Sequence, residues 1–289
     1  MIHVLYNPKA SNGCGMQKAD DLMRSLHNEE IRPCSVLEIP DLPAFLEGLA
    51  PADKVFLAGG DGTLNKFLNL LGDYKVKNEL YLYGAGSGND FLHDVLGEAG
   101  KGPVQINQYI EDLPFVTVNG QMHRFINGIG FGIDAYCCEV GDKKQAAHPG
   151  KPVNYTAIAI LGLLFHFHAP NARVTVDGVA KEYRRVWIAP AMKGRYYGGG
   201  MMVAPAQDRL AEDGALSSVV FYGKGRLRTL MVFPSIFKGE HIRHPEMVDI
   251  RRGHEITVEF DRPTALQIDG ETVLGVTSYK VKSKVPARI

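Results

Sequence analysis

A chain of 289 residues, 45% of them hydrophobic, can build two domains of ordinary size around substantial cores. Its 32 basic and 32 acidic residues cancel, which excludes a global basic field and, with it, nucleic acid as an expected partner. Cys14, Cys34, Cys137 and Cys138 contain no CxxC pair and include two neighbours, which suggests neither a disulfide framework nor a zinc site; a reducing cytosol is the expected compartment.

The N-terminus, MIHVLYNPKA, lacks the features of a signal peptide, and Ile2 to Tyr6 reads as a strand. Asn7-Pro8-Lys9-Ala10-Ser11-Asn12-Gly13 follows as a small, polar turn fit for phosphate, and apolar spacing at Ala19, Leu22, Met23 and Leu26 predicts a helix from Met16. Ser35 to Ile39 suggests another strand, with Asp41 capping a short helix to Leu49. Lys54 to Leu71 is the stretch around which the chain is organised. Val55 to Ala58 is a short apolar run, Gly59, Gly60, Asp61, Gly62 and Thr63 form a turn, and Leu64, Phe67, Leu68 and Leu71 have helical spacing. Glycines admit close backbone approach, and their N–H groups beside a helix N-terminus make an anion site. Thr63 is expected to cap the helix and bond a phosphate oxygen. Asp61 would repel phosphate, so it makes sense beside a metal ion or facing a hydroxyl to be phosphorylated. The plainer alternative is an ordinary strand-to-helix turn. Leu80 to Tyr83 is a strand running into a third glycine loop, Gly84-Ala85-Gly86-Ser87-Gly88-Asn89-Asp90, and a helix from Phe91. Strands alternating with helices predict a mostly parallel sheet covered on both faces, with ligands beyond the carboxyl ends of its strands, the edge to which all three loops belong.

Near Pro114 the texture changes. Phe115 to Val118, Asn119-Gly120 and His123 to Ile129 read as a hairpin, and Gly128, Gly130 and Gly132 suggest close backbone approach or a bulge. Asp134 to Lys144 and Val153 to His168 read as helices. The apolar Val153–Phe167 stretch is shorter than the roughly 20 residues that span a bilayer, so any membrane contact is expected to be peripheral. Arg173 to Val176 and Glu182 to Ile188 flank a second hairpin turn at Asp177-Gly178. Gly198 begins a loop through Asp213, and Leu216 to Tyr222 is a strand. Leu227 to Phe237 is a helix that Pro234 must kink or end; its basic rim of Lys224, Arg226, Arg228 and Lys238 suits an anionic membrane, or simply the solvated edge of a buried face. Val248–Ile250, Glu255–Phe260, Ala265–Ile268 and Val273–Val281 are strands. The domains are therefore placed at 1–114 and 115–289, leaving open a return of the last strand to the first domain.

Asn7-Pro8 after the first strand, Gly-Gly-Asp-Gly-Thr at 59–63, Gly-Ser-Gly-Asn-Asp at 86–90 and Asp-Gly-Glu at 269–271 occur in that order. The set resembles the diacylglycerol kinase catalytic-domain family, which includes bacterial lipid kinases and sphingosine and ceramide kinases. The resemblance covers nearly the whole chain. It implies an α/β N-terminal domain with a mostly parallel sheet, a mainly antiparallel, β-sandwich-like C-terminal domain, and an active site in the cleft. It also implies transfer of the ATP γ-phosphoryl group to a lipid hydroxyl, with Mg²⁺. Asn7, Pro8, Lys9, Ala10, Ser11, Gly59, Gly60, Asp61, Gly62, Thr63, Leu64, Asn65, Gly86, Ser87, Asn89 and Asp90 would then line the ATP site. Glu271 would accept the hydroxyl proton with Asp269 close by, although Asp269-Gly270-Glu271 also reads as a plain hairpin turn. These roles suit phosphoryl transfer, which needs alignment, charge neutralisation and a nearby carboxylate more than covalent help.

Departures from the family pattern are Ser87 for the usual Thr, Ser11 where Gly is usual, and no Thr-rich segment between Cys34 and Pro43. A structural Mg²⁺ site is expected from Asp208 and Asp213, with altered spacing. Tyr196 and Tyr197 are candidates for a substrate mouth, Met201–Val203 and the Val153 helix for an acyl pocket, and all of these also for ordinary core. Partners expected are a lipid substrate, a peripheral membrane surface and a second copy in a homodimer. The alternatives are a NAD kinase-like enzyme, since Gly-Gly-Asp-Gly-Thr is shared with that group, and a nucleotide-binding regulator without turnover.

Overall fold

The computed structural model describes residues 1–8, 15–26, 30–84, 89–97, 102–148, 151 and 153–284. It divides into two compact units, Met1–Glu111 and Asp112–Ile289, a boundary three residues before the one expected from the sequence texture.

The first unit is built on β1 (Ile2–Tyr6), β2 (Ile31–Ser35), β3 (Lys54–Gly59), β4 (Glu79–Gly84) and β5 (Val104–Gln105), in the spatial order β2-β1-β3-β4-β5. The first four strands run parallel and β5 antiparallel. In β3, Val55, Phe56, Leu57 and Ala58 are all buried, as expected of a central parallel strand covered on both faces. The second strand lies at Ile31–Ser35 rather than Ser35–Ile39: Pro33 hides the signal, and it is tolerated because β2 is an edge strand that needs fewer backbone donors. Helices α1 (Gly15–Ser25), α2 (Leu42–Glu47), α3 (Asp61–Leu71), α4 (Asp90–Leu96) and α5 (Asn107–Ile110) complete the unit. The Asp41 carboxylate accepts the Ala44 N–H at 2.9 Å and caps α2, as read from the sequence.

The second unit is antiparallel. Strands β6 (Phe115–Val118), β7 (Gln121–Arg124) and β8 (Gly128–Phe131) precede α6 (Ile133–Ala147) and α7 (Tyr155–Leu161). The return strand of the first hairpin stops at Arg124, and β8 is a separate strand pairing elsewhere. The expected second helix is interrupted: α7 ends at Leu161 and a π-helical turn follows over Gly162–His166. Strands β9 (Ala172–Val176), β10 (Val179–Tyr183), β11 (Val186–Ile188), β12 (Ala191–Met192), β13 (Tyr196–Tyr197), β14 (Met201–Met202) and β15 (Leu216–Tyr222) follow. Then come α8 (Arg226–Val232), which passes at Phe233-Pro234 into a 3-10 turn, β16 (Val248–Gly253), β17 (Glu255–Ile268) and β18 (Glu271–Lys282). The two short strands expected around Pro263 are one strand. β17 shifts register between Glu259 and Leu266, pairing β9 before the shift and β8 after it, so a single strand turns the corner of the sandwich-like fold. The last strand, β18, pairs with β17 and β6 and so stays within the second unit. One core packs Phe131 and Phe260, ring centroids 3.8 Å apart, with Tyr279 edge-on. A second places the buried sides of α7, α8 and Met201–Val203 against Trp187 and Phe221.

Candidate active site

In the first unit, the order β2-β1-β3-β4 sends the chain one way from β1 and the other way from β3. The carboxyl ends of these two strands therefore form the topological switch point, where open α/β sheets bind ligands. Asn7 and Pro8 follow β1 there, and Gly60 to Thr63 follow β3. Gly60 precedes α3 in extended conformation, and no side chain caps the helix. The first-turn N–H groups, which have no acceptor inside a helix, face this edge with the positive end of the helix dipole. Thr63 is not the cap: it sits inside the first turn, buried, against Gly59, where a Cβ would lie 2.4 Å from its own. The glycine at 59 thus serves close packing, not left-handed backbone. Asn7, Asp41, Thr63 and Lys66 contribute the polar lining of a cavity of about 360 Å³ whose apolar walls include Val36, Ile39, Leu42, Phe67 and Leu70, the Asp41 carboxylate being the one that caps α2. The stretch without threonines between Cys34 and Pro43 supplies part of that wall. Lys66 escaped the sequence reading, although it lies one helical turn beyond Thr63.

Other expected ligands have different tasks. The Asp61 carboxylate accepts the N–H groups of Asp90 at 2.8 Å and Phe91 at 3.1 Å. It binds the second glycine loop to the start of α4 as an intraprotein anchor. Leu64 is fully buried and its N–H donates to the Gly60 carbonyl at 3.0 Å, so it packs and does not line a ligand. Asn65 is buried and its Oδ1 accepts from Asn69 at 3.2 Å. Asn89 precedes α4 and Asp90 begins it, close to Asp61. Lys9, Ala10, Ser11, Gly86 and Ser87 lie outside the described residues.

In the second unit, Asp269 and Glu271 flank the β17–β18 turn, so the hairpin reading and the carboxylate reading describe the same residues. Asp269 has φ 46° and is buried. Its carboxylate accepts the N–H groups of Ile126, Asn127 and Gly128 at 2.7, 2.9 and 3.0 Å. A carboxylate so committed holds the hairpin to the start of β8 and is a positioning group, not a base. Glu271 opens β18 with an exposed side chain. Tyr196 and Tyr197 are both buried and pack in the interior of the second unit.

The expected Mg²⁺ site does not fit its donors. The Asp213 carboxylate accepts the Ala215 N–H at 3.0 Å and pairs with Arg252 at 3.3 Å, and Asp208 accepts from the Leu210 N–H at 2.9 Å. The buried Lys193 ammonium faces the same two acids and Asp112, and burial and Arg209 push it below the ordinary lysine range. Fixed side-chain cations therefore supply the positive charge here, and among the described residues no three His, Cys, Asp or Glu side chains converge.

In the second unit the sequence reading missed Asp134. It begins α6, is buried, and neither carboxylate oxygen completes a hydrogen bond of normal geometry. The Tyr197 hydroxyl and the Gln267 amide face it, and burial outweighs them, pushing the carboxyl up to about 6. Gln267 in turn accepts the Gly270 N–H at 2.6 Å, in the turn before Glu271. Burial raises the Cys138 thiol, and the Asp134 and Glu271 carboxyls add to that shift. The signal was in Gly128, Gly130 and Gly132. A Cβ on Gly130 would fall 1.5 Å from Asp134 Oδ2, and Gly132, at φ 132°, lies against the Trp187 carbonyl. At Gly130 the close approach read from the glycines makes room for an acid, whereas Gly128 lies against Met192 and Gly132 against the Trp187 backbone.

Residues 1–118 match the family described as the diacylglycerol kinase catalytic domain, and residues 127–287 match the YegS C-terminal NAD kinase beta sandwich-like domain. A Mycobacterium tuberculosis protein named diacylglycerol kinase is 27% identical over 273 residues, covering 89% of this chain and 84% of its own. The Bacillus subtilis protein YtlR, whose name assigns it provisionally to the lipid kinases, is 25% identical over 99% of this chain and 97% of its own. A solved structure titled as a diacylglycerol kinase from Bacillus anthracis shares the fold, with a TM-score of 0.59 at 17% identity over 98% of this chain and 93% of that one.

Proposed function

Because the chain belongs to the diacylglycerol kinase catalytic-domain family, we propose that it transfers the terminal phosphoryl group of ATP to the hydroxyl of a lipid alcohol, diacylglycerol being the first to test. The observation that carries this reading is the cavity beside the carboxyl end of β1, with Asn7, Thr63 and Lys66 among its polar groups and an apolar wall from the β2–α2 loop, α2 and the flank of α3. The donor set suits a nucleotide. Asn7, Thr63, Lys66 and the first-turn N–H groups of α3 would hold phosphate oxygens, and Val36, Ile39 and Phe67 would cover the base. When bound, the nucleotide supplies the activated phosphoryl group. The protein's share is to fix that group, exclude water and take up the acceptor's proton.

Glu271 is assigned the proton. It is an exposed carboxylate at the start of β18, two residues from Asp269, whose oxygens accept backbone N–H groups and position the turn. Gln267 accepts the Gly270 N–H and so holds the turn that carries Glu271, and its amide faces Asp134. Among the described residues no cluster of acids, histidines or cysteines assigns a divalent cation to particular side chains. The test is transfer of label from γ-labelled ATP to a mixed-micelle panel of lipid alcohols, by the full chain and by Glu271→Ala. Labelled lipid with the wild type alone supports the reading; no labelled lipid, or equal labelling by both proteins, overturns it.

A further inference from the structure

Arg226 donates to the carbonyls of Gly162 at 3.3 Å and Leu163 at 2.8 Å, which ties the first residue of α8 to the π-helical turn after α7. Beside this joint, Arg185, Arg226, Arg262 and His168 line a cavity of about 340 Å³ with Trp187 and Gly225. The Arg226 guanidinium lies 5.9 Å from the Trp187 ring centroid. Arg262 pairs with Asp261 at 3.2 Å, whereas Arg185 and Arg226 pair with no carboxylate among the described residues. The tied helices also leave large apolar side chains uncovered: Ile160 and Leu161 on α7, Phe165 (63% exposed) on the turn, and Leu227 (73%) and Met231 (67%) on α8. From Tyr155 through Leu164 the helix carries no charged residue at all. The apolar side chains expected to be buried do exist, as Ile158, Leu163, Phe167 and Val232; the exposed set is additional to them.

We propose that this face of the second unit docks on an anionic phospholipid bilayer, with the arginine cavity taking a lipid phosphate and Phe165, Leu227 and Met231 entering the acyl boundary. A soluble phosphate would account for the arginines but leave the uncovered apolar residues unexplained. An apolar protein partner would account for Phe165 and Leu227 but would leave two guanidiniums without counter-charge. An anionic bilayer matches both, since it offers phosphate at headgroup depth and hydrocarbon immediately beneath. The proposal does not depend on the kinase reading, and its test uses no activity.

The experiment is co-sedimentation of the full chain with vesicles of phosphatidylcholine alone and of phosphatidylcholine doped with phosphatidylglycerol. The wild type binds the doped vesicles, and sodium chloride weakens that binding. Arg185→Gln with Arg262→Gln lowers affinity for doped vesicles roughly thirtyfold. Phe165→Ser with Leu227→Ser lowers it at least about tenfold. All four side chains are exposed, so melting curves close to wild type verify the fold, and the salt series on the wild type needs no variant. Equal binding to neutral vesicles, no binding to doped ones, or indifference to the arginine pair overturns the proposal. So does stabilisation by inorganic phosphate without vesicle binding, which marks a soluble-anion site, or a dimer that Phe165→Ser with Leu227→Ser dissociates, which marks a second copy as the occupant.

Discussion

Asp134→Asn should make the second unit more stable above neutral pH while impairing the enzyme. Burial raises the folded carboxyl from 3.8 to about 6, so between those values the folded state binds a proton that the unfolded chain releases. Stability is then unpenalised below the unfolded value, falls as pH rises through the window, and stays low above about 6. At about 1.4 kcal/mol per pKa unit the penalty reaches at most about 3 kcal/mol. The Asn variant never ionises, so it should match the wild type within about 0.5 kcal/mol at pH 4 and exceed it by about 2–3 kcal/mol at pH 8. The assay is urea denaturation at a series of pH values, monitored by the fluorescence of Trp187, which lies in this unit. A difference between the proteins that does not change with pH would refute the argument, because it would mean that Asp134 does not titrate against its burial. Lower lipid phosphorylation by the more stable variant is the second expected outcome, as for other groups that trade stability for function.

The two carboxylates of the β17–β18 turn should separate cleanly. Asp269→Asn loses part of its hold on the Ile126–Gly128 N–H groups and should cost about 2 kcal/mol in denaturant titration, whereas Glu271→Gln should stay within about 0.5 kcal/mol of wild type and lose phosphoryl transfer. Asp61→Ala frees the Asp90 and Phe91 N–H groups and should lower the melting stability of the first unit by about 1–3 kcal/mol. Lys66→Met should weaken ATP binding in calorimetry by about tenfold with little change in melting temperature. Gly130→Ala puts a methyl group 1.5 Å from Asp134 Oδ2 and should broaden or abolish cooperative unfolding of the second unit in calorimetric scans.

The amino-acid sequence by itself determined what is local. The strand, glycine turn and helix of Lys54–Leu71, the cap at Asp41, the Asn119-Gly120 turn and the helix ended by Pro234 each rest on residues a few positions apart, whose steric and hydrogen-bonding preferences act before any tertiary contact forms. The order of the motifs likewise determined the family. What only the tertiary structure decided is the task of each polar side chain, because an acid's chemistry depends on neighbours that the chain brings back from far away. Asp61 meets the start of α4, Asp269 meets the backbone before β8, and Lys193 and Arg252 supply the charge around Asp208 and Asp213 that spacing alone suggested for a metal. Asp134 looked like one more helical acid until Tyr197 and Gln267, from remote strands, closed over it without satisfying it. Desolvation is a property of the assembled interior, and no pattern of adjacent residues carries it.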